Sequence, residues 1–206
     1  MSDTAFEPKP LVPALDFDNR MIPAHGTTSV DFEERVDYKR LRAYRLARAM
    51  KSLEGTECGA FLLFDFYNIR YTTQTWVGGA LGDKMSRYAL LTRDGKPHIW
   101  DFGSAAKHHQ LFAPWIEPGH SHAGMLGLRG AIHPEVGLMK DAVKTIKGML
   151  ADAGVDHLPV GVDIVEPAFL FEMQAQGLLV IDIQQDMLDA RSIKNVDEIM
   201  LLSQAA

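Results

Sequence analysis

Arg87 is the residue of this sequence best placed to hold a charged ligand. It follows the glycine-rich stretch GGALGDKMS and directly precedes an apolar run, Tyr88 to Thr92. A guanidinium at the entry to a strand, beside a loop of that composition, can clamp a carboxylate through two parallel hydrogen bonds. The same position suits an ion pair with Asp83 or Asp101, and the residues alone leave both alternatives open. Trp76, Trp100 and Phe102 fall at or near the ends of the same apolar runs. An indole there either packs in a core or lines the rim of a binding site.

No self-contained active site accompanies them. Gly78-Gly79 and Gly82 lack the spacing of a phosphate-binding loop and the Lys-Ser/Thr that closes it, and no Gly-x-Ser-x-Gly elbow occurs. The eight histidines include His108-His109 and His120-x-His122, but neither a His-Glu-x-x-His pattern nor a cysteine pair supports a metal site. These histidines are expected to be solvated loop residues, and no metal ligand is assigned. Asp94 is expected to serve a turn through its side chain. The single cysteine, Cys58, excludes an internal disulfide and sits among apolar neighbours as a small buried hydrophobe would.

The balance of charge narrows the partners. A net charge of −6 argues against nucleic acid, which requires a basic patch. The densest basic stretch, Arg35 to Lys51, is spaced as the solvated side of an amphipathic helix. Asp31, Glu33, Glu34 and Asp37 stand at its front, where acidic residues suit the helix dipole. No run approaches the ~20 apolar residues of a membrane span. The first residues also lack the basic cluster and apolar core of a signal peptide. A cytoplasmic protein without a membrane partner is expected.

The elements that must position Arg87 follow from periodicity. Residues 1–30 are proline-bearing and aperiodic, and are expected to form an extended arm. A helix is expected from near Asp31, capped by Asp31-x-x-Glu34, with Leu41, Tyr44, Ala47 and Met50 facing the core and Gly55 ending it. GAFLLFD reads as a strand buried on both faces, and NIRYTT as a short helical turn. Tyr88–Thr92 and Pro97–Phe102 flank Asp94-Gly95, a strong hairpin signal. Residues 103–130 are expected to be loop with short helices. Pro134 opens a helix carrying Val136, Met139, Val143, Ile146 and Leu150 on one side. LPVGVDI reads as a strand, Pro167 starts a helix through Phe169 and Met173, and LLVIDI is a further strand. Alternating strands and helices predict an α/β fold, a mixed β-sheet flanked by helices. Asn195-x-x-Glu198 starts a last helix whose apolar face, Ile199, Leu202 and Ala206, has nothing after it to pack on. The chain is therefore expected to be a fragment: an arm (1–30), a domain (31–190), and a linker with the first helix of a further domain (191–206).

Two segments carry a resemblance. Leu41 to Thr73, with AFLLFDFYNIRYTT, resembles the opening of the amino-terminal domain of the creatinase/prolidase/aminopeptidase P family. LDARSIKNVDEIMLLSQAA, with Arg191, Ile193, Lys194, Asp197 and Glu198, looks like that family's link into its "pita-bread" catalytic domain. The resemblance spans about residues 35–206 and implies a creatinase amino-terminal domain-like fold. It further implies two divalent metal ions (Mn, Zn or Fe) held by a carboxy-terminal domain outside these residues, and a homodimer whose amino-terminal domain reaches the neighbouring subunit's site. Arg87 matches an arginine that contacts the substrate carboxylate in creatinase, and Trp76 and Trp100 are weaker candidates for the same rim. The implied role is substrate access and dimerisation in a metal-dependent Xaa-Pro peptidase-like hydrolase, inactive alone. The alternatives are the same domain of a creatinase-like hydrolase or a dimethylsulfoniopropionate lyase, to which Trp76 and the run HIWDF look most similar, or a stand-alone non-catalytic binding module. For the lyase, Trp76 and Trp100 would suit a sulfonium group by cation–π contact.

Overall fold

Short strands of three to five residues build the sheet. In the computed structural model, which describes residues 36–76, 86–124 and 133–205, AFLL is strand β1 (Ala60–Leu63), with every residue buried. The Asp94-Gly95 hairpin forms as predicted, between β2 (Tyr88–Thr92) and β3 (His98–Asp101). Leu90 pairs with His98 and Tyr88 with Trp100. Gly95 takes φ +74°, which a glycine adopts without strain, and Asp94 Oδ1 accepts from the Lys96 amide at 3.1 Å. β4 (Ser121–Ala123), β5 (Val160–Val162) and β6 (Val180–Asp182) complete one six-stranded sheet in the order β4-β3-β2-β1-β5-β6. β2 is antiparallel to β1 and β3, whereas the β1–β5, β5–β6 and β3–β4 pairs are parallel. The mixed sheet flanked by helices is thus the architecture present.

Helices cover both faces. Leu62, Phe64, Tyr88, Leu90, Trp100, Val160 and Val162 pack on one face beneath Val143, Ile146 and Leu150 of α4 (Leu138–Asp152) and Phe169 and Met173 of α5 (Pro167–Ala175). Phe61, Leu63, Ala89, Leu91 and Ile99 pack on the other, with Ala49 and Leu53 of α1 (Tyr38–Glu54), Ile69 and Tyr71 of α2 (Phe66–Thr73), and Met187 of α6 (Gln184–Ser192).

Several expectations change. Val36 and Asp37 are not helical, so α1 starts at Tyr38 rather than near Asp31. Asp37 Oδ1 accepts from the Arg40 amide at 2.9 Å, so it stabilises the helix start in place of the predicted capping box. Asp31, Glu34 and the whole 1–30 arm lie outside the described residues. Ala47 is exposed, and the inward stripe runs through Leu46, Ala49, Met50 and Leu53. Nor is the basic side of α1 merely solvated. Arg48 donates to the Ala190 and Asp189 carbonyls at 3.0 and 2.9 Å, and Arg42 lies 4.2 Å from the Trp115 ring centroid. Residues 103–124 hold a ten-residue helix, α3 (Gly103–Phe112), and β4, where loop with short helices was expected. Pro134 opens only a 3-10 turn. Gly137 at φ +81° separates that turn from α4 and leaves Val136 exposed.

The chain divides into two compact units. One is Arg42–Ile193 and holds the sheet; the described part of the other comprises residues 36–41 and 194–205. In the latter, α7 (Val196–Ala205) starts with the predicted capping box. Asn195 Oδ1 accepts from the Glu198 amide at 2.9 Å, and Glu198 Oε2 accepts from the Asn195 amide at 3.3 Å. Arg40 grips Asp197 through two hydrogen bonds of 2.8 Å, and this guanidinium holds the Asp197 carboxyl below its ordinary range.

Candidate functional site

The carboxyl ends of the parallel strands are where ligands collect in α/β sheets, and the polar residues of this sheet gather there. Asp101 is the last residue of β3, Asp163 directly follows β5, and Asp65 lies two residues beyond β1. Because β2 runs against its neighbours, its amino end brings Arg87 to the same edge. The alternation of the strands points Arg87 and Asp101 towards the face that carries Ala89 and Ile99.

Arg87 is 1% exposed. Its Nη1 donates to Asp101 Oδ2 at 2.7 Å, and its Nη2 to the Thr75 carbonyl and hydroxyl oxygens at 3.0 and 3.1 Å. Its Nε is buried with no hydrogen-bond partner among the described residues. Burial lowers the Arg87 pKa, and the Asp101 charge opposes that. Asp101 is fully committed: Oδ2 also meets His109 Nε2 at 3.1 Å, and Oδ1 accepts from the Phe102 amide at 3.0 Å. Of the two ion pairs open to Arg87, the one with Asp101 is present, and Asp83 lies outside the described residues.

The sequence candidates separate across the sheet. Trp76 is 48% exposed, packs edge-on against Phe66 at 6.0 Å, and carries Arg70 over its ring at 4.8 Å. Phe66 in turn lies under the Arg87 guanidinium at 5.5 Å. Arg87, Phe66 and Trp76 therefore form one connected group. Trp100 does not join them. It is 4% exposed, stacks on Tyr88 at 4.8 Å, and belongs to the core of the opposite face.

Three features were not read from the sequence. His109, expected to be solvated, is 3% exposed and bound to Asp101; its signal was hidden because the segment was not read as a helix. His98, His120 and His122 also form a stack, with His98 and His120 centroids 3.7 Å apart and His98 Nδ1 3.0 Å from His122 Nε2. The third is Asp163, which accepts from the amides of Phe64, Asp65 and Ile164 and from Asn68 Nδ2 at 2.6–3.1 Å. Burial raises its pKa against these bonds. Its position directly after the apolar VGV of LPVGVDI was the available signal. Among the described residues, no group of three histidine, cysteine, aspartate or glutamate side chains could hold a metal ion.

This edge geometry sits on a known fold. The chain has 12% sequence identity to an Xaa-Pro dipeptidase from Bacillus anthracis, with a TM-score of 0.54, covering 79% of this chain and 39% of that one. The N-terminal domain of cytoplasmic peptidase PepQ from Mycobacterium tuberculosis H37Rv is matched at 16% identity and TM-score 0.50, over 73% of this chain and 99% of that one. The fold is that of an Xaa-Pro peptidase amino-terminal domain. An Xaa-Pro aminopeptidase from Streptococcus pyogenes matches similarly, at 16% identity and TM-score 0.51, over 74% of this chain and 99% of that one. In sequence, the chain is 26% identical over 173 residues to the dimethylsulfoniopropionate lyase DddP of Roseovarius nubinhibens. That match covers 81% of this chain and 37% of the lyase, so the chain spans little more than a third of that relative's length. No family model matches. The relatives are enzymes, peptidases and a lyase, and both comparisons agree with the resemblance read in the sequence. No helix among the described residues is long and apolar enough to cross a membrane.

Proposed function

We propose that this chain is the substrate-access and dimerisation domain of an enzyme built on this fold, and that Arg87 meets the carboxylate of the substrate at the carboxyl edge of the sheet. The observation that carries the proposal is the buried Arg87 Nε, a charged donor left over after Asp101 and Thr75 have taken the other guanidinium nitrogens. An unsatisfied buried N–H costs free energy. A carboxylate arriving from the Trp76 side would satisfy it, and Asp101 and His109 hold the guanidinium in place for that contact. The domain binds and orients; alone it does not turn substrate over. The two divalent ions implied by the resemblance find no ligand set among the described residues, so these residues are assigned no part in metal chemistry. The active assembly is proposed to be a cytoplasmic homodimer in which this domain lines the neighbouring subunit's site.

Between a peptide ending in a carboxylate and a small sulfonium carboxylate, the sequence match to DddP favours the second. Exposed Trp76, beside the Arg87–Phe66 group, would hold the sulfonium by cation–π attraction, worth ~0.5–2 kcal/mol. Trp100, buried in the opposite core, supports the sheet rather than the substrate. Turnover of dimethylsulfoniopropionate and of an Xaa-Pro dipeptide by the enzyme that carries this chain decides between the substrates. Trp76→Ala is at an exposed position and should fold normally. It is expected to raise KM for the sulfonium substrate about three- to thirtyfold with kcat little changed. An unaltered KM would remove Trp76 from the site.

A further inference from the structure

A cavity of about 240 Å³ lies on the α1 side of the α2 carboxyl end. Its walls include Arg42 and Leu46 from α1, Lys96 and Pro97 from the β2–β3 turn, and Trp115 and Ile116 from the segment after α3. Its charges are unbalanced. Lys96 is paired with Glu117 at 3.4 Å, whereas Arg42 meets no carboxylate among the described residues and rests over the Trp115 ring. One positive charge therefore remains, beside an indole and the aliphatic surfaces of Leu46, Pro97 and Ile116.

The cavity is also wired to Arg87. Thr73 and Gln74 form part of its wall, and Trp115 Nε1 donates to the Thr73 carbonyl at 2.9 Å. The Thr73 hydroxyl gives its proton to the Ile69 carbonyl at 2.8 Å, so in the Thr73–Thr75 hydroxyl contact of 2.7 Å the donor is Thr75. Thr75 Oγ1 then accepts from Arg87 Nη2 at 3.1 Å. Each hydroxyl donates once and accepts from its neighbour, so the chain Arg87–Thr75–Thr73–Ile69 has a single direction. Gln74, between the two threonines, is held at φ +54°, the only positive φ of a non-glycine residue among those described. Gln74 is the C-cap of α2, and a non-glycine residue stays in this conformation only where its surroundings hold it.

We infer that this cavity binds a small monocarboxylate with an apolar body, its carboxylate on Arg42 and its body against Leu46, Pro97 and Ile116, and that occupancy shifts the Thr73–Thr75 segment that positions Arg87. A monoanion fits because Arg42 supplies one uncompensated charge, and the cavity accommodates only a small molecule. Both ligands offer a carboxylate, but to different arginines, so the two sites are separable by mutation.

The test uses the 206-residue chain and three probes: 4-methylpentanoate, benzoate, and uncharged 4-methylpentanamide. Binding is followed by calorimetry and by the NMR signals of the three indole N–H groups. Both acids are expected to bind saturably and the amide not to bind. The Trp115 indole signal should shift most, and the Arg87 side-chain signals should move at the same midpoint. Arg42→Gln, at a partly exposed position, should weaken binding at least about tenfold, the loss expected for a charge-assisted hydrogen bond, while Arg87→Lys keeps it. Equal binding of acid and amide would overturn the carboxylate assignment. Loss of binding in Arg87→Lys with retention in Arg42→Gln would move the ligand to the sheet edge and overturn the inference while supporting the function proposed above. Saturable binding that leaves the Arg87 signals unmoved would overturn the coupling.

Discussion

Arg87 illustrates how a residue type announces chemistry while its neighbours decide the cost. Arginine directly before an apolar strand signalled either a clamp or an ion pair, and in the fold the ion pair with Asp101 is present at 2.7 Å with both side chains almost fully buried. Removing one member of such a pair strands the other charge, so Arg87→Met is expected to lower stability by ~3–5 kcal/mol, read from urea unfolding. Adding Asp101→Asn should recover part of the loss. The histidine stack gives a second consequence. Burial, with His120 and His122 as neighbouring bases, drives the His98 pKa from 6.5 to about 4, and the nearby Asp94 opposes this only in part. Burial and His120 lower the His122 pKa in the same way. A base whose folded pKa is depressed favours its neutral form in the fold. Stability is therefore complete above about 6.5 and is lost as pH falls from there towards 4, because the unfolded chain takes up protons first. The melting temperature should fall across that window, and His98→Gln should flatten the fall; an equally steep profile in the variant would remove His98 as its cause.

Elements were legible in proportion to how local their cause is. Asp94-Gly95 between two β runs specifies a hairpin through turn geometry alone, and Asn195-x-x-Glu198 specifies a helix start through two reciprocal bonds. The start of α1 was misplaced because Asp31-x-x-Glu34 was read as its cap, whereas Asp37 accepts from the Arg40 amide at the actual start. Strand β5 shows the limit of local signals. Its VGV contains a glycine, which weakens an isolated strand, yet Gly161 is required. A Cβ there would stand 2.7 Å from Phe61 Cδ1 and 2.8 Å from Ile183 Cγ2, both in the helix-covered core. Gly161→Ala is expected to cost ~1–3 kcal/mol by overpacking, seen as a lower urea midpoint with an unchanged slope.

For the molecule as a whole, the proposed homodimer is checked by light scattering coupled to size exclusion on the enzyme that carries this chain. Twice the subunit mass is expected, and a monomer at all concentrations would leave the neighbouring subunit's site without this domain. Sequence alone determined the class of fold, the hairpin and the capping of α7, and it marked Arg87 and Trp76 as candidates. Each of these rests on periodicity, turn chemistry or residue type within a few positions along the chain. Only the tertiary structure decided that Arg87 pairs with Asp101, that His109 is buried beside them, and that Trp100 faces the opposite core. It also decided that Thr73 and Thr75 link Arg87 to a cavity under α1. These depend on which strand ends share an edge and on which side of the sheet a side chain emerges. Contacts between residues as distant as Arg42 and Trp115 leave no periodic trace in the chain, because their partners are brought together by sheet order and helix packing.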